Sequence, residues 1–315
     1  MGVMGRIGRA TPTWLFPNRR LLAAVLPKLT NWRFMLVNAL NFVCFKLGMK
    51  HAFAPSVVNI EASSLCNLEC PFCYRTILGN DRHAHNMKPG AFADFIAANR
   101  SHLTHIEFGM WGEPLMNKRF AELVRIATDA GLSVSCVTNA TLVNEKWLAA
   151  LGGAKIHRIT ISVDSIDEEY EALRGTPFEE TFDNIKLIIK HKAQYGYEVA
   201  ISGVAVNEKY TVQDFLDRFA IDGIDQVGVQ PLYREDKNKS QQGRVCYRPW
   251  HTAAVFSDGD VSVCAFDQGK ELKIGNLRDG SLRNIFNSKE AQDIRAEFCT
   301  GTPRDICKKC NHYYR

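Results

Sequence analysis

From residue 55 to residue 232 the chain alternates short apolar runs with helical stretches, and this alternation limits the fold to parallel strands joined by helical crossovers. The strand-like runs are 57–61, 105–108, 134–138, 158–163, 198–206 and 226–232. Helical periodicity occupies 91–99, 118–130, 144–151, 167–173, 180–195 and 212–219. Parallel crossovers are right-handed, and such a sheet gathers its functional side chains at the C-terminal strand ends. Six strands fall short of the eight that close a β/α barrel, so the expectation is an α/β fold, a partial (β/α)6 barrel open on one side. At 315 residues, 46% hydrophobic and 23% charged, the chain can bury that core and a smaller unit besides. Cys136, inside the third run, is expected in the core.

The loop leaving the first strand reads Cys66-Asn-Leu-Glu-Cys70-Pro-Phe-Cys73, three thiols spaced C-x3-C-x2-C. Thiolates select zinc or an iron-sulfur cluster, and this spacing lets one loop present three sulfurs to one centre. A closed zinc site takes four ligands, whereas a 4Fe-4S cluster held by three cysteines leaves one iron open. His83 and His85 follow in a polar run. On spacing alone, zinc completed by either histidine and three unrelated thiols both stay open; the histidines otherwise read as solvated loop residues. The ten cysteines fall in short clusters and are not spread as a disulfide framework, which favours metal binding in a reducing cytosol.

Other strand ends add polar groups. The second continues into Gly109-Met-Trp-Gly-Glu-Pro-Leu115, the third ends in Thr138-Asn139-Ala-Thr141, and the fourth in Ser162-Val-Asp164-Ser165. Asn, Asp and Ser at strand-to-helix turns are also what helix caps require, so capping stands beside a ligand role for each. Together, the cysteine octet with Phe72 before its last thiol and the segment Gly112-Glu113-Pro114 resemble the cluster loop and GGEP segment of the radical S-adenosylmethionine (SAM) superfamily. The resemblance implies that the open iron chelates the amino and carboxylate groups of SAM. Reduction then cleaves SAM to a 5'-deoxyadenosyl radical that takes a hydrogen atom from the substrate. It also implies cofactor contacts from Phe72, Trp111, Gly112 and Glu113, the last accepting from the SAM ammonium. Asn139, Ser162, Asp164 and Arg174 would face the ribose and carboxylate, and Asn207 the adenine. Trp111 stands where the family often has glycine, a departure that bears on the local turn.

Residues 233–244 form a polar linker, and beyond it lie Cys246, Cys264, Cys299, Cys307 and Cys310. Two β runs around Asp258-Gly259 bring Cys264 back toward the start of this unit, and a helical stretch over 281–299 leads to Cys307-Lys-Lys-Cys310. Four thiols in two pairs suit zinc or a 4Fe-4S cluster equally. Cys246-Tyr-Arg-Pro-Trp, the Asp-Gly hairpin ending in Cys, Ile274-Gly-Asn-Leu277 and the terminal C-x2-C resemble the SPASM auxiliary-cluster domain or its shorter twitch form. A full SPASM domain uses more cysteines than this. The resemblance therefore implies one auxiliary 4Fe-4S cluster on Cys246, Cys264, Cys307 and Cys310, with Cys299 an alternative ligand or a bystander. The expected division is a basic helical arm over 1–54, the partial barrel over 55–235 and the auxiliary unit over 236–315.

The arm has a composition of its own. Residues 1–60 carry eight Arg or Lys and no Asp or Glu, against a net charge of +5 for the whole chain. Its longest uncharged run, 34–45, is well short of the roughly 20 residues a membrane span needs. Scattered arginines and the Pro27-Lys28 interruption also argue against a signal peptide. Expected instead are helices packed under the barrel, or an amphipathic surface on anionic lipid, with Cys44 as a small buried hydrophobe.

The function expected from the resemblance is a two-electron oxidation of a small molecule such as a sugar, cyclitol or lipid-linked glycan. An electron donor such as flavodoxin or ferredoxin would start the cycle, and Asp267, three residues past Cys264, is the nearest carboxylate to act as base. Alternatives are a peptide or protein maturase, a redox-neutral epimerase, or a zinc-stapled binding barrel. Nucleic acid is not expected as a partner, because no aromatic platform interleaves the basic residues. The expected location is cytoplasmic, with residues 1–50 as a peripheral contact to membrane or anionic substrate.

Overall fold

In the computed structural model, residues 32–79, 84–167, 169–205, 210–231, 246–308 and 310 are described. Six parallel strands form the expected partial barrel: β1 (Val57–Ile60), β2 (His105–Phe108), β3 (Ser133–Thr138), β4 (Arg158–Ser162), β5 (Glu198–Ala205) and β6 (Gln226–Pro231). Three more follow, β7 (Ala253–Val255), β8 (Asp260–Ser262) and β9 (Lys273–Asn276), and all nine share one sheet in the order β6-β5-β4-β3-β2-β1-β7-β8-β9. The barrel strands are rich in fully buried side chains such as Ile60, Ile106, Val134, Ile161 and Val199. Strands of a parallel sheet covered by crossover helices on its faces need that composition.

Local signals set the crossovers. Asn144 caps the helix Glu145–Gly153 by accepting from the Trp147 amide, Pro89 opens Pro89–Asn99, and Thr211 with Asp214 forms a capping box on Val212–Arg218. Gly196, at φ +73°, ends the long helix Phe178–Tyr195.

The C-terminal hairpin does not build a sheet of its own. β7 pairs parallel with β1, in register Val58 to Ala253 and Ile60 to Val255, and then β8 and β9 continue antiparallel. The carboxylate of Glu61, completely buried, accepts from the Ser257 amide at 3.1 Å and its hydroxyl at 2.9 Å, fastening the end of β1 to the end of β7.

Two expectations are corrected. The helical stretch over 281–299 is two helices, Leu282–Ile285 and Lys289–Thr300. Ser281 caps the first and Ser288 the second, and between them the Asn287 side chain exchanges hydrogen bonds with the Ala52 backbone at 3.0 and 2.9 Å. These short polar side chains offer the backbone an alternative to a continuous helix. The described part of the arm, 32–54, holds one helix, Trp32–Lys46, which packs on the C-terminal unit instead of beneath the barrel. Tyr247 donates to the Asn38 carbonyl at 3.0 Å and Trp250 to that of Met49 at 2.8 Å, while Cys44 is buried as expected. Arg295, completely buried, donates to the carbonyls of Lys50 and Pro249 at 2.8 Å and of Phe286 at 2.6 Å, a knot joining arm and C-terminal unit. The remainder of the arm, residues 1–31, lies outside the described residues, as does the linker over 233–244.

Candidate active site

The thiol loop is held from three sides. Within it, the Cys73 amide donates to the Cys70 carbonyl at 3.0 Å, and Cys73 precedes a short helix, Tyr74–Ile77. From that helix Arg75 reaches back to the carbonyls of Ser64 at 3.3 Å and Leu68 at 3.4 Å. Beside it, the Glu113 amide donates to the Leu65 carbonyl at 2.8 Å. The two segments touch so closely that a Cβ on Gly112 would lie 1.8 Å from the Ser63 carbonyl oxygen, so only glycine fits there. Met110 adopts a left-handed φ of +78° in the same turn, which costs a non-glycine residue about 1–2 kcal/mol. That is how a segment with Trp111 in place of glycine makes its bend.

A cavity of about 250 Å³ opens on this loop. Cys66, Cys70 and Cys73 line it, together with Phe72, Trp111, Gly112 and Glu113. Asn139, Ser162, Asp164 and Arg174 complete that wall, so every described residue expected at the cofactor stands at one cavity. Asn207 lies outside the described residues.

Glu113 is buried and well supplied with donors. Its Oε1 accepts from Thr138 Oγ1 at 2.7 Å and the Leu115 amide at 3.1 Å, and its Oε2 from the Asn139 amide at 2.8 Å. Burial pushes its pKa up against the pull of these donors. A carboxylate has about four acceptor positions, so Oε2 keeps room for one more donor. Asn139 and Thr141 do not cap the next helix, which Asn144 does. Instead Asn139 Nδ2 donates to Asn67 Oδ1 at 3.1 Å, and Asn67 donates to Thr141 Oγ1 at 2.7 Å, closing a ring between the thiol loop and the end of β3. Asn67 was missing from the expected set; its place inside the C-x3-C spacing was the available signal.

Arg174 and Asp164 form a buried ion pair. Arg174 also donates to Ser162 Oγ at 2.8 Å, its guanidinium lies 6.0 Å from the Phe72 ring centroid, and Asp164 Oδ1 accepts from the Val204 amide at 2.8 Å. Burial alone would lower the Arg174 pKa, but Asp164 and the Cys70 thiol outweigh it and the pKa rises. Burial likewise pushes the Cys66 thiol up and the Cys70 thiol up to about 11.

The second set of thiols comes from separate elements. Cys246 precedes the short helix Arg248–His251, Cys264 follows β8, and Cys307 sits on the helix Asp305–Lys308, with the Cys310 amide donating to the Cys307 carbonyl at 3.2 Å. Burial pushes Cys246 up to about 11 and Cys264 up to about 12. Cys307 is raised by burial and then by Cys264, Cys246 and Cys310, so the four thiols lie within electrostatic reach of one another. Cys299 stands apart, exposed and donating to the Gly48 carbonyl at 3.4 Å. None of the ten cysteines forms a disulfide. Among the described residues, no three Cys, His, Asp or Glu side chains are grouped closely enough to hold a single metal ion. An all-sulfur donor set of this kind, half-buried apart from the buried Cys70, fits iron-sulfur ligation. His85 is an exposed loop residue whose carbonyl accepts from the Ser64 amide and whose amide donates to Ser64 Oγ, and His83 lies outside the described residues.

Asp267 is completely buried. Its Oδ1 accepts from the Glu271 amide at 2.8 Å, and its Oδ2 from Ser262 Oγ and the Leu272 amide, both at 2.8 Å. Burial raises its pKa against these donors. Its neighbour Phe266, which sequence reading did not single out, lines the cavity of the first thiol set, with the Arg248 guanidinium 4.6 Å from its ring centroid. Only the folding back of the 264–272 loop puts it there.

A likeness to characterised proteins follows the same two-part division. The family described as the radical SAM superfamily matches residues 60–217, and an iron-sulfur cluster-binding domain, SPASM, matches residues 246–311. The AdoMet-dependent heme synthase of Methanosarcina barkeri is 30% identical over 46% of this chain and 42% of its own length. The tungsten-containing aldehyde ferredoxin oxidoreductase cofactor-modifying protein of Pyrococcus furiosus is 25% identical, covering 73% of this chain and 80% of its own. The chain spans 42% of that heme synthase and 59% of a Methanocaldococcus jannaschii relative. Among solved structures, BtrN in complex with AdoMet and 2-DOIA shares the fold at a TM-score of 0.56 and 18% identity, over 83% of this chain and 94% of that one. Streptococcus suis SuiB bound to S-adenosylmethionine does so at a TM-score of 0.67 and 16% identity, over 95% and 82%. No described helix is long and apolar enough to cross a membrane. With its thiol loop, its glycine-tight GEP segment and its partial barrel, the chain belongs to the radical SAM superfamily and carries a C-terminal SPASM iron-sulfur cluster-binding domain.

Proposed function

We propose that this protein is a radical SAM oxidoreductase that takes a hydrogen atom from a C–H bond of a small molecule, such as a sugar, a cyclitol or a lipid-linked glycan, and oxidises it by two electrons. Phe266 carries this reading: it lines the cavity of Cys66, Cys70 and Cys73 and is two residues from Cys264. A substrate in that cavity touches both the thiol loop and the loop that bears an auxiliary ligand. When bound, the clusters and SAM supply a hydrogen-abstracting radical and a one-electron acceptor. A two-electron oxidation would take one hydrogen atom, one proton and one electron from the substrate, and the thiols of the two sets would hold the groups that supply the radical and accept the electron.

The chain's own residues divide the work. Cys66, Cys70 and Cys73 hold the first cluster, and Cys246, Cys264, Cys307 and Cys310 the auxiliary one. The spare acceptor position on Glu113 takes the SAM ammonium. Arg174 Nε makes no hydrogen bond among the described residues and suits the SAM carboxylate. Phe72, Trp111, Gly112, Asn139, Ser162 and Asp164 shape the rest, with Asn207 kept for the adenine. Three donors and complete burial suit Asp267 to holding the Cys264 loop, in place of the base role that its sequence position suggested. The domains run 1–54, 55–235 and 236–315, the outside reductant is a flavodoxin or ferredoxin, and residues 1–50 contact an anionic surface.

The test is Cys264→Ala, assayed with a panel of sugars and cyclitols. SAM cleavage to 5'-deoxyadenosine should stay within about threefold of the parent, while oxidised product falls at least about 100-fold. Unchanged product formation would make the auxiliary centre structural and the reaction redox-neutral. Turnover of a peptide alone would move the substrate class.

A further inference from the structure

We propose that the outer face of the helix Trp32–Lys46 is a docking surface for an anionic lipid membrane; this rests on the reading above that residues 1–50 contact an anionic surface. The inner side of the helix is already used. Phe34, Asn41 and Cys44 are buried, and the Phe45 ring lies 5.2 Å from Tyr247 and 5.3 Å from Trp250. Successive residues step 100° around a helix, so Trp32, Leu36, Val43 and Leu47 fall on one stripe opposite, flanked by Met35 and Phe42. All six are exposed, from 48% for Leu36 to 70% for Leu47. A helix that is apolar on both sides is completed by something apolar outside it.

Charge selects the occupant. Arg33 and Lys46 on this helix and Lys50 just beyond it are exposed, and residues 1–60 hold eight cations and no anion. Lys46 sets its Nζ 5.3 and 5.7 Å from the ring centroids of Phe42 and Phe45, so a cation already sits against the aromatic part of this helix. A second copy of this chain would bring like charges face to face. An anionic membrane offers an acyl layer to the stripe and negative headgroups to the rim. The helix is 15 residues long, so it lies in the interface and does not span.

The full-length holoenzyme is sedimented with vesicles of phosphatidylcholine, with and without about 30% phosphatidylglycerol, at about 0.1 and 0.5 M salt. Binding is expected on the anionic vesicles only, weakening as salt rises. The double variant Leu36→Glu, Val43→Glu should bind them at least about tenfold more weakly, with SAM cleavage in the absence of vesicles unchanged. Brominated lipid should quench a tryptophan signal that Trp32→Phe removes. If the double variant binds like the parent and Trp32 stays unquenched, charge alone holds the protein, and the helix face is refuted while the anionic contact survives. If the parent binds no vesicle, both fail. A dimer that the double variant dissolves would assign the face to a second copy and overturn the proposal.

Discussion

Cys66, Cys70 and Cys73 lie on one short loop, whereas Cys246, Cys264, Cys307 and Cys310 are gathered from across residues 246–310. The first loop is held by protein alone: Arg75 spans it, Glu113 hangs from its backbone, Gly112 presses against Ser63, and the Asn67–Asn139 contact ties it to β3. The second set has a different scaffold. β7 and β8 are three residues each, and the helix bearing Cys307 has four. Such short elements gain little from their own hydrogen bonds. On the proposed ligand sets, the barrel loop is shaped by protein contacts before a cluster binds, and the auxiliary thiols, far apart in sequence, are drawn together partly by theirs.

The largest expected effect comes from replacing Cys66, Cys70 and Cys73 together by Ala. SAM cleavage should fall at least about 1,000-fold while the protein stays folded and keeps about half its iron. Iron falling to zero in a folded protein would mean that the auxiliary thiols hold nothing alone, and the contrast between the sites would collapse.

Next in size is the response to metal removal. Chelating the reduced protein should raise amide exchange over 246–308 at least about tenfold and leave β1 to β5 nearly unchanged. Equal loosening of both regions would show that the barrel loop also depends on its cluster.

The smallest effect sharpens the account of the barrel loop. Gly112→Ala forces a Cβ against the Ser63 carbonyl, and overpacking of this kind costs about 1–3 kcal/mol. Thermal unfolding should report that loss, and reconstitution should load less iron at the Cys66 loop than at the auxiliary site. Unaltered stability and loading would show that the close approach of the two segments holds nothing in place.

Much of this was legible in the sequence because it rests on contacts a few residues apart. Strand and helix periods gave all six barrel strands to within one or two residues of their observed ends, and the thiol spacing gave the loop. Cap chemistry was the weaker guide. Asn139 and Thr141 had the residue types of caps, yet Asn144 caps the helix and they close on Asn67, a partner from another strand end. The single helix expected over 281–299 failed for a related reason, since Asn287 finds its partner in the backbone of Ala52, more than two hundred residues away.

What the sequence determined by itself was therefore the set of parts: parallel strands, helical crossovers, two groups of thiols and a basic apolar arm. Tertiary structure alone decided how they meet. It set β7 on β1, laid the arm helix on Tyr247 and Trp250, buried Asp267 among three donors, and brought Phe266 to the cavity of the first thiol loop. Hydrophobic period and ligand spacing are written in neighbouring residues. Which distant backbone satisfies a buried carboxylate, and which ring closes a cavity, depends on surfaces that exist only once the sheet has formed.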